Sequence, residues 1–510
     1  MKGSTMRRFL SLHTWVGLIA GMALFIAFYA GAITVFSHEI GDWNRSGAAA
    51  ATPADPVGRS QQLLDDLLKQ HPQAAESVYL VLPGEHGPQP SAYWFEASTG
   101  ESRRFMLEDS NTLHEDAFGQ DFIEFIYDLH FTAGLPKPFG TYLFGVVCLL
   151  YGLALVSGVV IYAPTLVRNL FALRLGRNVK RMWQDAHNAV GILSLPFHII
   201  FAWSGAVLAL GLLLLVPFQT MVYEGKLLKL LERDFYGAPQ VATAHAAKPT
   251  LPLQTLLQRG QAALPALEIE GISLVNIGDA NARATLYGVV EQRRLNQLGS
   301  VTLDAATGVV VDKVAPKTMT PGMVMLRGLQ ALHFGNFGHD AVKWLYFVLG
   351  LAGAFLFYSG NLLWIEARRK RRQIEQPRRT RVMAALTLGV CLGCVAGVSA
   401  VFVAGALAPG LGRPAYYTVF FASLLWACLR QPARAGHELL WLCALVTAAI
   451  PLAGWIGSGE SLLAAAWHGH WHRFFVDAVA LVLAFAYWRM ARATLHRGRE
   501  GDPNSVWALH

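Results

Sequence analysis

Leu12–Phe36 reads LHTWVGLIAGMALFIAFYAGAITVF, and Ala186–Leu210 reads AHNAVGILSLPFHIIFAWSGAVLAL. Each stretch opens with a histidine, His13 or His187, and each has a glycine four residues later, Gly17 or Gly191. Eighteen residues after each histidine comes a second matched glycine, Gly31 or Gly205. A second pair of histidines follows the same rule. His130 stands in DLHFTAG and His333 in ALHFGNFG, and the apolar run after each carries a Ser-Gly step near its end, Ser157-Gly158 or Ser359-Gly360. Two apolar segments and two histidines recurring in the same order mark an internal duplication.

The rest of the chain agrees with a membrane setting. Of its 510 residues 54% are hydrophobic and only 15% charged, which excludes an ordinary soluble domain. A helical span needs about 20 predominantly apolar residues. Eight stretches qualify, near 14–37, 139–163, 188–217, 341–365, 382–408, 415–429, 438–457 and 473–490, the sixth being the shortest. The first exceeds the apolar core of a signal peptide and is read as a retained anchor.

Charge then orients the spans. Residues 164–186 hold five Lys/Arg and one acid, and residues 366–381 hold eight and two. Both ends of the chain are basic as well, whereas 39–130 carries sixteen acids against five bases. The positive-inside rule puts the basic stretches and both termini in the cytoplasm. The net charge of +8 is thus a topology signal and gives no case for nucleic-acid binding.

The expected order is a span (1–38), an outside module (39–130), a span (131–163), a basic inside loop (164–186), a span (187–217), a second outside module (218–332), a span (333–365) and a second basic loop (366–381). A four-helix membrane bundle (382–490) and a cytoplasmic tail (491–510) complete it. Each outside module starts with Leu at helical spacing, in RSQQLLDDLLKQHP (59–72) and LPLQTLLQRGQAALP (251–265). Strand-like runs and hairpin-turn signals follow, STGE in the first and DAATG in the second. Each module therefore reads as a small α+β domain. The fold class is a mainly α-helical polytopic membrane protein of about eight spans, built on a duplicated two-span unit with two α+β modules outside.

Ionisable side chains in spans are costly and mark function. An imidazole that ligates haem iron is one solution, since the axial ligand is a lever on the redox potential. In His-x-x-x-Gly the two residues share a helix face one turn apart. Glycine there removes a side chain that would strike a flat macrocycle, which makes Gly17 and Gly191 candidate cofactor contacts. His13 with His187 at the inner end, and His130 with His333 at the outer end, form two candidate haem sites stacked across the bilayer. His198 lies about three turns beyond His187 on the same face and has no counterpart in the first half, where Leu24 occupies the position. It is read as an alternative ligand for the outer haem or a relay group, with Pro196 beside it kinking the helix.

Two other motifs receive structural readings. Cys391 and Cys394 have CxxC spacing inside an apolar helix and suit helix packing. His468, His470 and His472 form HGHWH just outside the last span. Alternating histidines suit a metal site, but no carboxylate lies beside them before Asp477, so a solvated interfacial loop is favoured. The chain shows no Gly-rich phosphate loop, GxSxG or HExxH, hence no dinucleotide or flavin site of its own.

The run LHTWVGLIAGMALFIAFYAGAITVF, an outside domain and LHFTAGLP together resemble the PepSY-associated transmembrane helix family, also called iron-regulated inner-membrane proteins. The hairpin with Asp304, Thr307 and Gly308 resembles the end of a PepSY domain, and Thr99 and Gly100 are its fainter echo in the first module. The resemblance covers about residues 1–370. It implies a multi-pass protein of the bacterial inner membrane with periplasmic PepSY modules and b-type haem, one or two per chain. It further implies reduction of a ferric siderophore or other ferric chelate, with His13, His187, His130 and His333 as ligands. A cytoplasmic reductase or quinol would supply the electrons. The bundle at 382–490 lies outside the family pattern. A haem-free PepSY sensor or protease regulator, and a permease for iron or its chelator, remain open as alternatives.

Overall fold

The structure, a computed structural model, describes residues 3–44, 53–84, 89–96, 101–107, 112–115, 117–166, 179–236, 241–291, 295–370 and 372–509. Chain contacts divide it into two compact units. The first comprises Met1–Ser46, Asp121–Gly211 and Asp340–His510, and the second Gly47–Gln120 and Leu212–His339.

The first unit is helical. Helix α1 (Gly3–Thr34) carries the opening motif, α2 (Ser37–Asn44) follows it, and α4 (Ala117–Thr132) leads into α5 (Phe139–Tyr162). Helices α6 (Val179–Leu193), α7 (Leu195–Pro217) and α11 (His339–Ala367) repeat part of this arrangement. The bundle contributes α12 (Arg378–Leu407), α13 (Gly412–Leu429), α14 (Pro432–Ser458), the short α15 (Leu462–His468) and α16 (Trp471–Glu500).

Among the described residues, seven helices are long and apolar enough to cross a membrane, against the eight expected. The sixth expected span falls within α13, whose 18 residues give a rise of only about 27 Å. Its first two turns hold Arg413, Tyr416, Tyr417 and Thr418, which dilute its apolar character. In α1 and α12, 61% and 72% of the most apolar window is buried within the protein, against 22–44% in the other five. These two are therefore the inner helices, and the rest present apolar faces outward, as lipid requires.

Helices α6 and α7 replace the single span expected at 187–217. The break falls at Ser194, two residues before Pro196, which has no N–H to give the Ile192 carbonyl. His187 consequently sits on α6, which carries charge, and not at the head of the apolar helix.

The bundle packs on the duplicated core through α2. Trp43 donates its indole N–H to Asp477 at 2.7 Å, and Arg473 donates to the Trp43 carbonyl at 2.9 Å. Both Trp43 and Asp477 are buried, so the bond satisfies two polar groups that would otherwise be costly. Cys391 and Cys394 are free and buried between bundle helices, as packing residues would be.

In the second unit the two α+β modules expected at 39–130 and 218–332 share one sheet. Helices α3 (Pro56–Gln70) and α9 (Leu253–Ala263) cover one eight-stranded sheet. The first half supplies β1 (Ser77–Val81), β2 (Ser91–Glu96), β3 (Glu101–Leu107) and β4 (Leu113–Glu115). The second supplies β5 (Glu268–Val275), β6 (Arg283–Val289), β7 (Leu298–Asp304) and β8 (Val310–Val314). The order β4-β3-β2-β1-β5-β6-β7-β8 joins two antiparallel meanders through β1 and β5, with Tyr79 opposite Ser273. Pairing the two first strands removes an open edge from each half. Leu63, Leu67, Leu80, Trp94 and Phe105 then share one core with Leu256, Ile272, Leu286 and Leu303.

The hairpin of the second half has the expected chemistry. Asp304 accepts from the Thr307 N–H at 2.9 Å and the Thr307 hydroxyl at 2.8 Å. Gly308 turns the chain at φ +72°, and a Cβ there would lie 2.4 Å from Arg259 Cδ, so only glycine fits. Its echo at Thr99 and Gly100 lies outside the described residues.

Candidate functional site

His13 and His187 meet. Their ring centroids are 6.3 Å apart and their planes are nearly perpendicular, at 79°. They line a cavity of about 1500 Å³ within the first unit. Its wall comes from α1, α5, α6 and α11, which are the repeated elements of the duplication.

The two imidazoles are held by the same device. His13 Nδ1 lies 2.9 Å from the Ala154 carbonyl and 3.3 Å from Ser157 Oγ. His187 Nδ1 lies 3.1 Å from the Leu356 carbonyl and 3.1 Å from Ser359 Oγ. A carbonyl can only accept, so each Nδ1 carries the proton and each Nε2 keeps its lone pair. This is how a protein orients an imidazole that binds a metal.

The Ser-Gly steps complete the mount. Each serine also turns its hydroxyl back onto the same carbonyl, Ser157 to Ala154 at 3.0 Å and Ser359 to Leu356 at 2.9 Å. The glycine after it makes room for the ring. A Cβ on Gly158 would stand 3.0 Å from His13 Cε1, and one on Gly360 3.4 Å from His187 Cε1. The repeat of these steps is visible in sequence, but their role as seats for the opposite histidines appears only when the helices are placed.

Gly17 and Gly191 both line the cavity. A Cβ on Gly17 would meet nothing within 4 Å, so its face is open to whatever fills the space. Two further donors line the cavity without a protein partner, Asn361 Nδ2 and Trp364 Nε1. Arg7, Lys180, Arg181 and Arg368 gather cationic charge around it, with Arg368 stacked 4.2 Å above the Trp364 ring.

This set fits a haem. Two imidazoles that ligate one iron from opposite sides, at roughly 2 Å per bond, put their centroids about 6 Å apart. The cavity exceeds the 300–1,000 Å³ usual for small-molecule sites, roughly. Basic residues and orphaned donors suit the two carboxylates that haem carries. His13 and His187 are the residues that would hold such a group, and Gly17 and Gly191 line the same space.

His130 uses the same kind of mount one helix away. Its Nδ1 lies 2.8 Å from the Ala27 carbonyl on α1, and a Cβ on Gly31 would sit 2.5 Å from that nitrogen. The glycine eighteen residues beyond His13 thus seats His130. His333 lies near the end of α10 (Pro321–Phe334), in the second unit, with its ring 5.4 Å from that of Phe334. The outer pair is thereby divided between the two units.

His198 is fully buried, and its ring nitrogens face Tyr151 OH at 2.5 Å and Ser194 Oγ at 3.0 Å. With both nitrogens engaged by protein hydroxyls, no lone pair is left for iron in this arrangement. Its surroundings are aromatic, Phe28 and Phe197 each within 6 Å.

The sequence reading missed one cluster. Glu460, on the link after α14, brings a carboxylate to His468 and His470. The carboxylate that HGHWH lacked stands upstream in sequence, where a search of the downstream residues does not find it.

Comparison with known proteins places residues 10–367 within the family described as the PepSY-associated TM region. A Pseudomonas aeruginosa protein described as "Uncharacterized protein PA4219" is 26% identical over 362 residues, covering 66% of this chain and 89% of that protein.

Proposed function

The chain belongs to the PepSY-associated TM family, and from that premise we propose that it is a b-type haem electron-transfer protein of the bacterial inner membrane. It reduces a ferric siderophore or another ferric chelate on the periplasmic side. The observation that carries this reading is the His13–His187 pair, with both Nδ1 atoms tied to carbonyls and the rings spaced for one metal.

Haem iron, when bound, would supply a one-electron Fe³⁺/Fe²⁺ couple. The residues around it do the rest. His13 and His187 hold fixed tautomers, so no proton need leave an imidazole when a ligand bond forms. Phe357 and Tyr151 line the cavity with aromatic surface. Arg7, Lys180, Arg181 and Arg368 put positive charge at the rim. Their neighbours in sequence are the basic loops that the positive-inside rule assigns to the cytoplasm, so electrons enter from a cytoplasmic reductase or quinol. Reduction releases iron because hard oxygen chelators hold Fe²⁺ far less tightly than Fe³⁺.

The test is spectroscopic. Protein purified in detergent should show a Soret band and sharp α-bands after dithionite. His13→Ala and His187→Ala should each remove one haem's absorbance. A colourless, folded protein, or variants with unchanged spectra, would overturn the assignment.

A further inference from the structure

The turn between α15 and α16 brings together three side chains that the haem reading does not use. Glu460 Oε1 lies 2.8 Å from His468 Nδ1 and 2.9 Å from His470 Nδ1. Glu460 Oε2 is also 2.9 Å from His470 Nδ1. All three candidate ligand atoms lie within 4.8 Å of one another. We propose that Glu460, His468 and His470 form a binding site for a divalent first-row transition metal ion.

The backbone is built for this convergence. Ser461 caps α15 through the Ala464 N–H, which starts the helix directly after Glu460. Gly469 ends it at φ +78°, a conformation that glycine adopts without strain. The His470 N–H then returns to the Ala465 carbonyl at 2.8 Å, folding the chain back. Histidines on either side of this reversal face one carboxylate, with ring centroids 5.7 Å apart. An extended strand would put His468 and His470 on one face but leave Glu460 out of reach.

The donor set decides the kind of ion. Two imidazole nitrogens and one carboxylate oxygen suit Zn²⁺, Co²⁺ or Fe²⁺, whereas Ca²⁺ and Mg²⁺ prefer all-oxygen shells. Three protein ligands leave at least one coordination position open to water or a small ligand. Ligands of a tetrahedral ion stand about 3.3 Å apart, so the two Glu460–His contacts need to open by only a few tenths of an ångström. His468 is exposed and His470 half-buried, which gives an ion access from water.

The neighbouring charges are compatible. Arg473 Nε lies 3.5 Å from Glu460 Oε2, but Asp477 also faces Arg473, so Glu460 is not its sole counter-charge. His472 pairs separately with Asp42 at 2.9 Å and is not counted as a ligand. The site lies at the opposite end of α16 from Arg497 and Arg499. By the positive-inside argument that end is periplasmic, the side on which the proposed reaction liberates Fe²⁺. Only this last link rests on the proposed function.

Cobalt is the probe, because nitrogen-bound Co²⁺ has visible d–d absorption that is separable from haem by difference. Full-length protein in detergent should bind one more equivalent of Co²⁺ than the His468→Ala/His470→Ala double variant. Glu460→Gln should weaken that equivalent at least tenfold. His468→Ala alone changes an exposed residue and guards against misfolding of the double variant; it should also lose the d–d band while keeping the wild-type haem spectrum and melting temperature. Equal Co²⁺ binding and equal d–d spectra in wild type and His468→Ala would overturn the site. A colourless protein that still binds Co²⁺ at this turn would sink the haem reading and leave the metal site standing.

Discussion

His13 and His187 stand 174 positions apart in sequence, yet their rings lie 6.3 Å apart, each mounted on a backbone carbonyl of the helix opposite. The two mounts use the same parts, a carbonyl, a serine three residues later and a glycine after it. The duplication has thus brought a matched pair of histidines together. Because the mounts are equivalent, loss of either histidine should have the same result. His13→Ala and His187→Ala are each expected to lose one equivalent of haem per chain in the pyridine haemochrome assay, with helix content by circular dichroism unchanged.

The glycine seats offer a test that leaves both ligands in place. A side chain at Gly158 would enter the space of His13 Cε1 from 3.0 Å, and His13 cannot retreat without leaving the Ala154 carbonyl. Gly158→Val should therefore weaken haem retention at the His13–His187 site roughly 10–100-fold, the range typical of lost outer-shell support. Gly152→Val, one helix turn and a half earlier with nothing within 4 Å, should leave it unchanged. Equal haem content in both variants would show that the seat does not matter.

The join between the duplicated core and the bundle rests on Trp43. Its indole N–H is the buried donor to Asp477, and Gly454 lies against its ring. Trp43→Phe keeps most of the aromatic surface and removes the donor. A buried carboxylate that loses a partner costs about 1–3 kcal/mol. Thermal melting in detergent should show a clear drop for this variant, and a much smaller one for Trp467→Phe, whose side chain is 88% exposed.

The Asp304 hairpin gives a prediction in pH. Burial raises this carboxyl's pKa, but the Thr307 hydroxyl and N–H, with Arg283, outweigh it and hold it below the usual aspartate value. A depressed folded-state pKa means stabilisation that is present above the ordinary aspartate pKa and lost as pH falls through the folded value. Asp304→Asn should therefore speed hydrogen exchange at Gly308 relative to wild type at neutral pH, by about fivefold for on the order of 1 kcal/mol. The difference between the two proteins should shrink in strong acid, where the wild-type carboxyl is also neutral.

Hydropathy, charge and repetition made much of this protein legible in one dimension. Runs of apolar residues report spans because lipid solvates no backbone polar group. The duplication singled out His13 and His187, and the D-x-x-T-G turn at Asp304 followed from local chemistry alone. These are signals carried within one helix, one hairpin or one loop.

The remaining features depend on which segments lie side by side. The carbonyls of Ala154 and Leu356 are invisible in sequence, since every residue has one and only packing selects the acceptor. The two α+β halves merged into one sheet because β1 and β5 satisfy each other's edges, a pairing that no local pattern specifies. His198 resembled its neighbours in type and differed in partners, Tyr151 from another helix taking one of its nitrogens. Glu460 became the missing carboxylate of HGHWH because a seven-residue helix and Gly469 reverse the chain between them. Sequence by itself determined which histidines repeat and which segments are apolar enough to sit in a membrane. Tertiary structure alone decided which of those side chains meet, because a hydrogen bond or a metal site depends on distances of a few ångströms between segments far apart in the chain.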